Sequence, residues 1–251
     1  MKIFSVKKMT AVITHLSAVL VLSSLISAHA AIVPDRTRVI YPEDQQSVSV
    51  TITNKNKELP FVAQSWIEDE KGVKVPGPFM VLPPLQRVEA NDRNVLRIVK
   101  LPGDSLPKDR ESVFYLNIRE IPPKTETVNA MQIALQSKLK LFYRPKGVER
   151  ERGQDMGLSL NVQLDPAHKK IIIDNPTPFH VTVVGFLAGT EKTKVSAKAV
   201  MISPISKVEM PVKDADFSHF SKFYVSNMND YGGQTDSEFN CVANVCHGVQ
   251  P

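Results

Sequence analysis

Cysteine is nearly absent. The 251-residue chain has two, Cys241 and Cys246, which excludes a small scaffold built on many disulfides. Glycine is sparse as well, eleven residues against eighteen prolines. Proline inside a helix removes a hydrogen bond and clashes with the preceding turn, so long helices are not expected. No apolar run beyond residue 30 reaches the roughly 18 residues of a spanning helix, so no membrane insertion is expected. Catalytic signatures are missing: there is no G-x-S-x-G, phosphate loop, dinucleotide fingerprint or H-E-x-x-H. Beyond residue 30 the histidines are His168, His180, His219 and His247, scattered without ligand spacing. No metal, no cofactor and no enzyme activity are therefore expected, although a glycosidase-type carboxylate pair stays open on spacing alone.

What is present is the composition of a folded protein, 42% apolar and 23% charged. Lys2, Lys7 and Lys8 precede the apolar stretch Leu16 to Ile26, and Ala28-His29-Ala30 has the small-x-small form of a leader-cleavage site. A cleaved signal peptide is expected over residues 1–30, with Ala31 as the first mature residue. Its removal takes three lysines and no acidic residue, so the formal charge of +5 falls to +2. That balance offers no basic stripe for nucleic acid. Export also places Cys241 and Cys246 where disulfides form, and a spacing of five suits a local staple.

The mature chain alternates with period two. Val48, Val50 and Ile52 alternate with Ser49, Thr51 and Thr53, and Phe114, Leu116 and Ile118 alternate with Tyr115, Asn117 and Arg119. About seven short strands fall between Arg36 and Arg144, spaced as in a β-sandwich. After Pro145-Lys146-Gly147 the run Glu149-Arg150-Glu151-Arg152-Gly153 reads as a solvated linker. Strands resume over Leu158 to Leu164, Lys169 to Asp174, His180 to Leu187 and Lys207 to Val212. The fold class is all-β, with domains at 31–147 and 155–251 and a linker at 148–154.

One segment is unusual. From Met131 to Tyr143, the residues Met131, Ile133, Leu135, Leu139, Leu141 and Tyr143 share one face, over about twice the length of an ordinary strand. An exposed apolar edge is normally blunted by charge or proline, and Gln132 to Ser137 carries neither. Pattern alone allows a long internal strand or a strand whose first half is offered to another protein.

The block Leu106-Pro107-Lys108-Asp109-Arg110-Glu111-Ser112-Val113-Phe114-Tyr115-Leu116-Asn117-Ile118-Arg119-Glu120-Ile121-Pro122-Pro123 resembles the signature of the PapD-like periplasmic pilus (fimbrial) assembly chaperones. Asp35-Arg36-Thr37-Arg38, Gln64-Ser65-Trp66-Ile67-Glu68, Lys140-Leu141-Phe142-Tyr143-Arg144-Pro145, Asn175-Pro176-Thr177-Pro178 and Asn229-Asp230-Tyr231-Gly232-Gly233 carry the resemblance over nearly the whole mature chain. It implies two immunoglobulin-like sandwiches in a boomerang arrangement with an interdomain cleft, in the periplasm of a Gram-negative bacterium. The implied partners are pilus subunits, held 1:1 by donor-strand complementation, and an outer-membrane usher that receives them.

The resemblance maps the donor role onto Met131, Ile133 and Leu135, and the anchor for the subunit's terminal carboxylate onto Arg38 and Lys140. Strict alternation puts Lys140 on the face opposite Ile133 and Leu135, so this anchor calls for a twist or bulge. Glu111, Arg144 and Asp230 match an interdomain ion-pair network, and Cys241 and Cys246 a second-domain disulfide. The seven residues Lys124 to Ala130 resemble the short F1–G1 loop subfamily. Covering the open edge in a self-capped homodimer is a further expectation for the free protein. A competing reading is an immunoglobulin-like adhesion or carbohydrate-binding module, which would need aromatic residues on its loops.

Overall fold

A computed structural model describes residues 30–103, 106–125, 131–151, 153–213 and 221–250. The expected leader apart from Ala30, residues 126–130 of the short loop, Arg152 and His219 lie outside the described residues.

The first part of the chain forms β1 (Ile32–Pro34), β2 (Arg38–Pro42), β3 (Ser47–Asn54), β4 (Phe61–Glu68), β5 (Phe79–Leu82), β6 (Leu85–Val88), β7 (Arg93–Lys100), β8 (Ser112–Ile121) and β9 (Gln136–Arg144). Period-two patterning is converted directly into burial. In β4, Phe61, Ala63, Ser65 and Ile67 turn inward while Val62, Gln64 and Trp66 are more open. Two sheets result, in the orders β1-β3-β7-β5 and β2-β9-β8-β4-β6. All pairings are antiparallel except β2 with β9, which is parallel. Val50, Ile52, Leu96 and Ile98 from one sheet pack with Leu116, Ile118, Leu139 and Leu141 from the other. Eight strands lie between Arg36 and Arg144, one more than the alternation suggests. Pro83 and Pro84 divide the short strands β5 and β6.

The second part contains β10 (Asn161–Asp165), β11 (Lys170–Asn175), β12 (Val181–Ala188), β13 (Thr193–Val195), β14 (Val200–Ile202), β15 (Ser206–Pro211), β16 (Lys222–Met228), β17 (Gln234–Val242) and β18 (Val245–Gly248). They join in one curled sheet, β13-β12-β16-β17-β18-β10-β11-β15, with β14 also on β12. Ile171, Ile173, Val183, Phe186, Phe223, Val225 and Phe239 fill its interior. The Cys241–Cys246 disulfide is formed between directly paired residues of β17 and β18. The hairpin turn between these strands, Ala243-Asn244, has positive φ at both residues, as a two-residue turn that follows strand twist requires.

Two readings are corrected. Leu158 does not begin a strand: Met156–Ser159 is a single 3-10 turn and β10 starts at Asn161. Asp155 caps that turn by accepting the Gly157 N–H at 2.9 Å, and a side chain at Gly157 would collide with Ser237. Nor is the charged linker simply solvated. Val148 is buried against the second core. The Arg150 guanidinium donates to Asp230 Oδ1 at 2.7 Å and to the Gln154 carbonyl at 2.8 Å. Its partner is 80 positions away in the chain, so nothing local reveals the contact.

Candidate functional site

The site is organised by the two faces and two ends of β9. On the odd face Leu139, Leu141 and Tyr143 are buried in the first core. Further toward the N-terminus the same row leaves the sandwich. Met131 is 89% exposed, Ile133 64% and Leu135 38%. Ladder pairing with β8 stops at Gln136 opposite Arg119, so the regular strand is nine residues long and not thirteen. Residues 131–135 are tied to β8 and its end by a few hydrogen bonds. Glu120 N–H donates to the Leu135 carbonyl at 3.0 Å, Leu135 N–H to Glu120 Oε1 at 3.3 Å, and the Gln132 amide to the Pro123 carbonyl at 2.7 Å. Met131 and Ile133 thus stand in water and Leu135 partly so, on backbone outside the regular ladder.

The even face runs from solvent into the junction between the domains. Lys138 bonds Glu68 at 2.7 Å, Lys140 Nζ donates to Thr182 Oγ1 at 3.1 Å, and the Phe142 ring lies 5.5 Å from that of His180. β9 keeps continuous register with β8, without a bulge. No bulge turns Lys140, which stays on the face opposite Leu139 and Leu141. Its ordinary alternation already points it at the second domain.

Arg38 is the in-register parallel neighbour of Lys140, so both side chains leave the sheet on the same side. Arg38 is 9% exposed, donates from Nη1 to the Met228 carbonyl at 3.3 Å, and leaves a buried Nε without a partner. Among the described residues neither cation forms an ion pair. Burial holds the pKa of Lys140 below its ordinary value, and the Arg38 charge lowers it further. Burial likewise lowers that of Arg38, partly offset by Asp230. Two desolvated cations with spare N–H donors are suited to a carboxylate, whose two oxygens can take charge-assisted hydrogen bonds from both. Beside Arg38 opens a cleft of about 540 Å³ lined by Asp35, Arg36, Arg38, Ile40, Asp230 and Tyr231.

The next even-face residue, Arg144, links the domains. It donates to Glu111 Oε1 at 2.7 Å and to Asp230 Oδ2 at 3.0 Å. Burial opposes its charge, but Asp230 and Glu111 outweigh that and hold its pKa above the ordinary value. The other Glu111 oxygen accepts the His180 backbone N–H at 2.8 Å, and Glu111 N–H donates to the Pro178 carbonyl at 2.9 Å. The structure thus brings Glu111, Arg144 and Asp230 together. Sequence reasoning missed Arg150, which completes the cluster, and the roles of Thr182 and the His180 backbone. Trp66 is no open aromatic platform: its indole donates to Glu68 at 2.8 Å and the Arg119 guanidinium lies 5.2 Å from the ring. Among the described residues no group of three or more His, Cys, Asp or Glu side chains is placed to hold a metal ion.

Two immunoglobulin-like β-domains, one with an exposed apolar segment ahead of β9, define the class of fold. Residues 31–149 match the family model described as the pili and flagellar-assembly chaperone PapD N-terminal domain, and residues 155–239 match the pili assembly chaperone PapD C-terminal domain. The chain belongs to the PapD-like pilus assembly chaperones, a family of chaperones and not of enzymes. It is 42% identical to the chaperone protein PapD of Escherichia coli over 92% of this chain and 95% of that protein. Among solved structures it is similar to the YadV chaperone, at 32% identity and TM-score 0.71, covering 84% of this chain and 100% of that one. It is also similar to the periplasmic chaperone SfaE, at 31% identity and TM-score 0.67 with the same coverage.

Proposed function

We propose that this protein holds pilus subunits 1:1 by lending them residues 131–135 as a strand. Met131, Ile133 and Leu135 enter a subunit's open groove, and Arg38 and Lys140 receive its terminal carboxylate. The observation that carries this reading is the exposure of one apolar row that lies on the same face as buried Leu139 and Leu141. Each donor side chain gains about 1.5–3 kcal/mol on full burial, less for the part already covered. Added backbone hydrogen bonds extend the β2-β9-β8-β4-β6 sheet into the partner. The carboxylate contact fixes register, since a slip of one residue would turn every apolar side chain outward. Glu111, Arg144, Asp230 and Arg150 hold the domains at one angle so that anchor and strand are offered together.

The working protein is the periplasmic chain 31–251, with domains at 31–147 and 155–251, a short F1–G1 loop, and delivery of its clients to an outer-membrane usher. The leader-like N-terminus and the Cys241–Cys246 disulfide support export. The exposed segment also supports a self-capped homodimer when no subunit is bound. The test is co-expression with a subunit from a neighbouring gene. Wild type is expected to recover that subunit intact from the periplasm, and Arg38→Ala with Lys140→Ala to lose it. Equal recovery by both would remove the anchor.

A further inference from the structure

Glu120, near the end of β8, is 4% exposed. Its Oε2 accepts the backbone N–H groups of Ala31 at 2.7 Å and Ile32 at 2.9 Å, and its Oε1 accepts that of Leu135 at 3.3 Å. Its own N–H donates to the Leu135 carbonyl at 3.0 Å. Ile32 belongs to β1, in the opposite sheet. This one carboxylate therefore ties the start of the mature chain, across the sandwich, to the root of the lent segment. Among the described residues no lysine, arginine or histidine side chain forms an ion pair with it. The carboxylate is held by neutral backbone donors, so a cation beside it would add an ion pair to those bonds.

The expected cleavage falls at the atom that Glu120 touches. Hydrolysis of the Ala30–Ala31 bond consumes one water and leaves the Ala30 carboxylate on the leader and an amine on Ala31. Its reference pKa of roughly 7.7–8.0 keeps most of it protonated at neutral pH. We infer that Glu120 is a positioning residue completed by leader removal: the new Ala31 ammonium pairs with its carboxylate and fixes Leu135 at the base of the donor segment. The bond that Ala31 makes before cleavage, from an amide N–H to the carboxylate, becomes an ion pair between an ammonium and that carboxylate. The chaperone is then fully set to lend its strand only in the exported, processed form. This inference rests on residues 131–135 being the lent strand and on cleavage after Ala30.

The test compares four full-length mature proteins: those starting at Ala31 and those retaining Ala30, each with Glu120 or with Glu120→Gln, with the terminus verified by intact mass. The readout is hydrogen exchange at the Leu135 amide, referenced to the Leu141 amide in the middle of β9. Retaining Ala30 is expected to speed Leu135 exchange about five-fold beside Glu120. It should have no effect beside Glu120→Gln, and Leu141 should be unmoved. Equal Leu135 exchange with and without Ala30 would overturn the inference, as would an acceleration that persists in Glu120→Gln. No subunit is present, so failure here is distinct from failure to capture one. If protein exported with its own leader begins elsewhere than Ala31, the inference falls on that ground alone.

Discussion

Ile133, the central residue of the donor row, separates client binding from folding. Replacing it by alanine removes three carbons, worth about 2.4 kcal/mol at roughly 0.8 kcal/mol per buried methylene. The side chain is 64% exposed in the free chain, so about 1.5 kcal/mol of that is still to be gained when a partner covers it. Ile133→Ala should therefore weaken subunit binding about ten-fold and leave the free chaperone's stability within about 0.5 kcal/mol of wild type. Leu141→Ala is the control eight residues, or four repeats of the pleat, further along the same row. It is fully buried and should cost about 2–5 kcal/mol of stability through lost burial and the cavity left behind. The assay pairs urea unfolding of each free variant with competition between variant and wild type for one subunit. If Ile133→Ala destabilises the free protein as Leu141→Ala does, or competes as well as wild type, the donor reading is refuted.

Other perturbations have defined outcomes. Glu111→Ala removes an almost fully buried partner of Arg144 and strands the His180 N–H, and should cost about 2–4 kcal/mol and broaden the interdomain angle, read by urea melts and solution scattering. Lys140 has a folded pKa below its unfolded one, so between these values the unfolded chain binds more protons and this group makes stability rise with pH. Subunit binding should do the reverse, weakening as pH climbs through the lowered value and the ammonium is lost. Lys140→Met should flatten both trends in a titration of stability and affinity, and an affinity slope unchanged in Lys140→Met would exclude Lys140 as its source. Replacing Cys241 and Cys246 by serine opens a six-residue hairpin and should cost about 2 kcal/mol, confined to the second domain by hydrogen exchange.

Much of the architecture is legible because sandwich strands are half-buried, and a half-buried strand repeats every two residues. The runs through Val50, Leu116 and Ile173 are of this kind. Strands of three residues, such as β13 and β14, are too short to show a period, and β16 to β18 went unread although Asn229-Asp230-Tyr231-Gly232-Gly233 marks the turn between the first two. The linker was misread because Arg150 looks like any charge in a charged run until Asp230 is folded against it. Lys140 looked misplaced for the opposite reason. Its parity was correct, but which face of the sheet meets the second domain is no property of the strand itself.

By itself, the chain's order of residues determined an apolar row from Met131 to Tyr143 and the polar row interleaved with it, because side chains on extended backbone alternate. Only the tertiary structure decided where along that row the core ends, since this depends on how far β8 and β2 accompany β9. Only it set Arg38 beside Lys140, about a hundred residues apart, through the parallel pairing of β2 with β9. Only it assembled Glu111, Arg144, Arg150 and Asp230, whose charges carry no local period and acquire meaning when two separate domains meet.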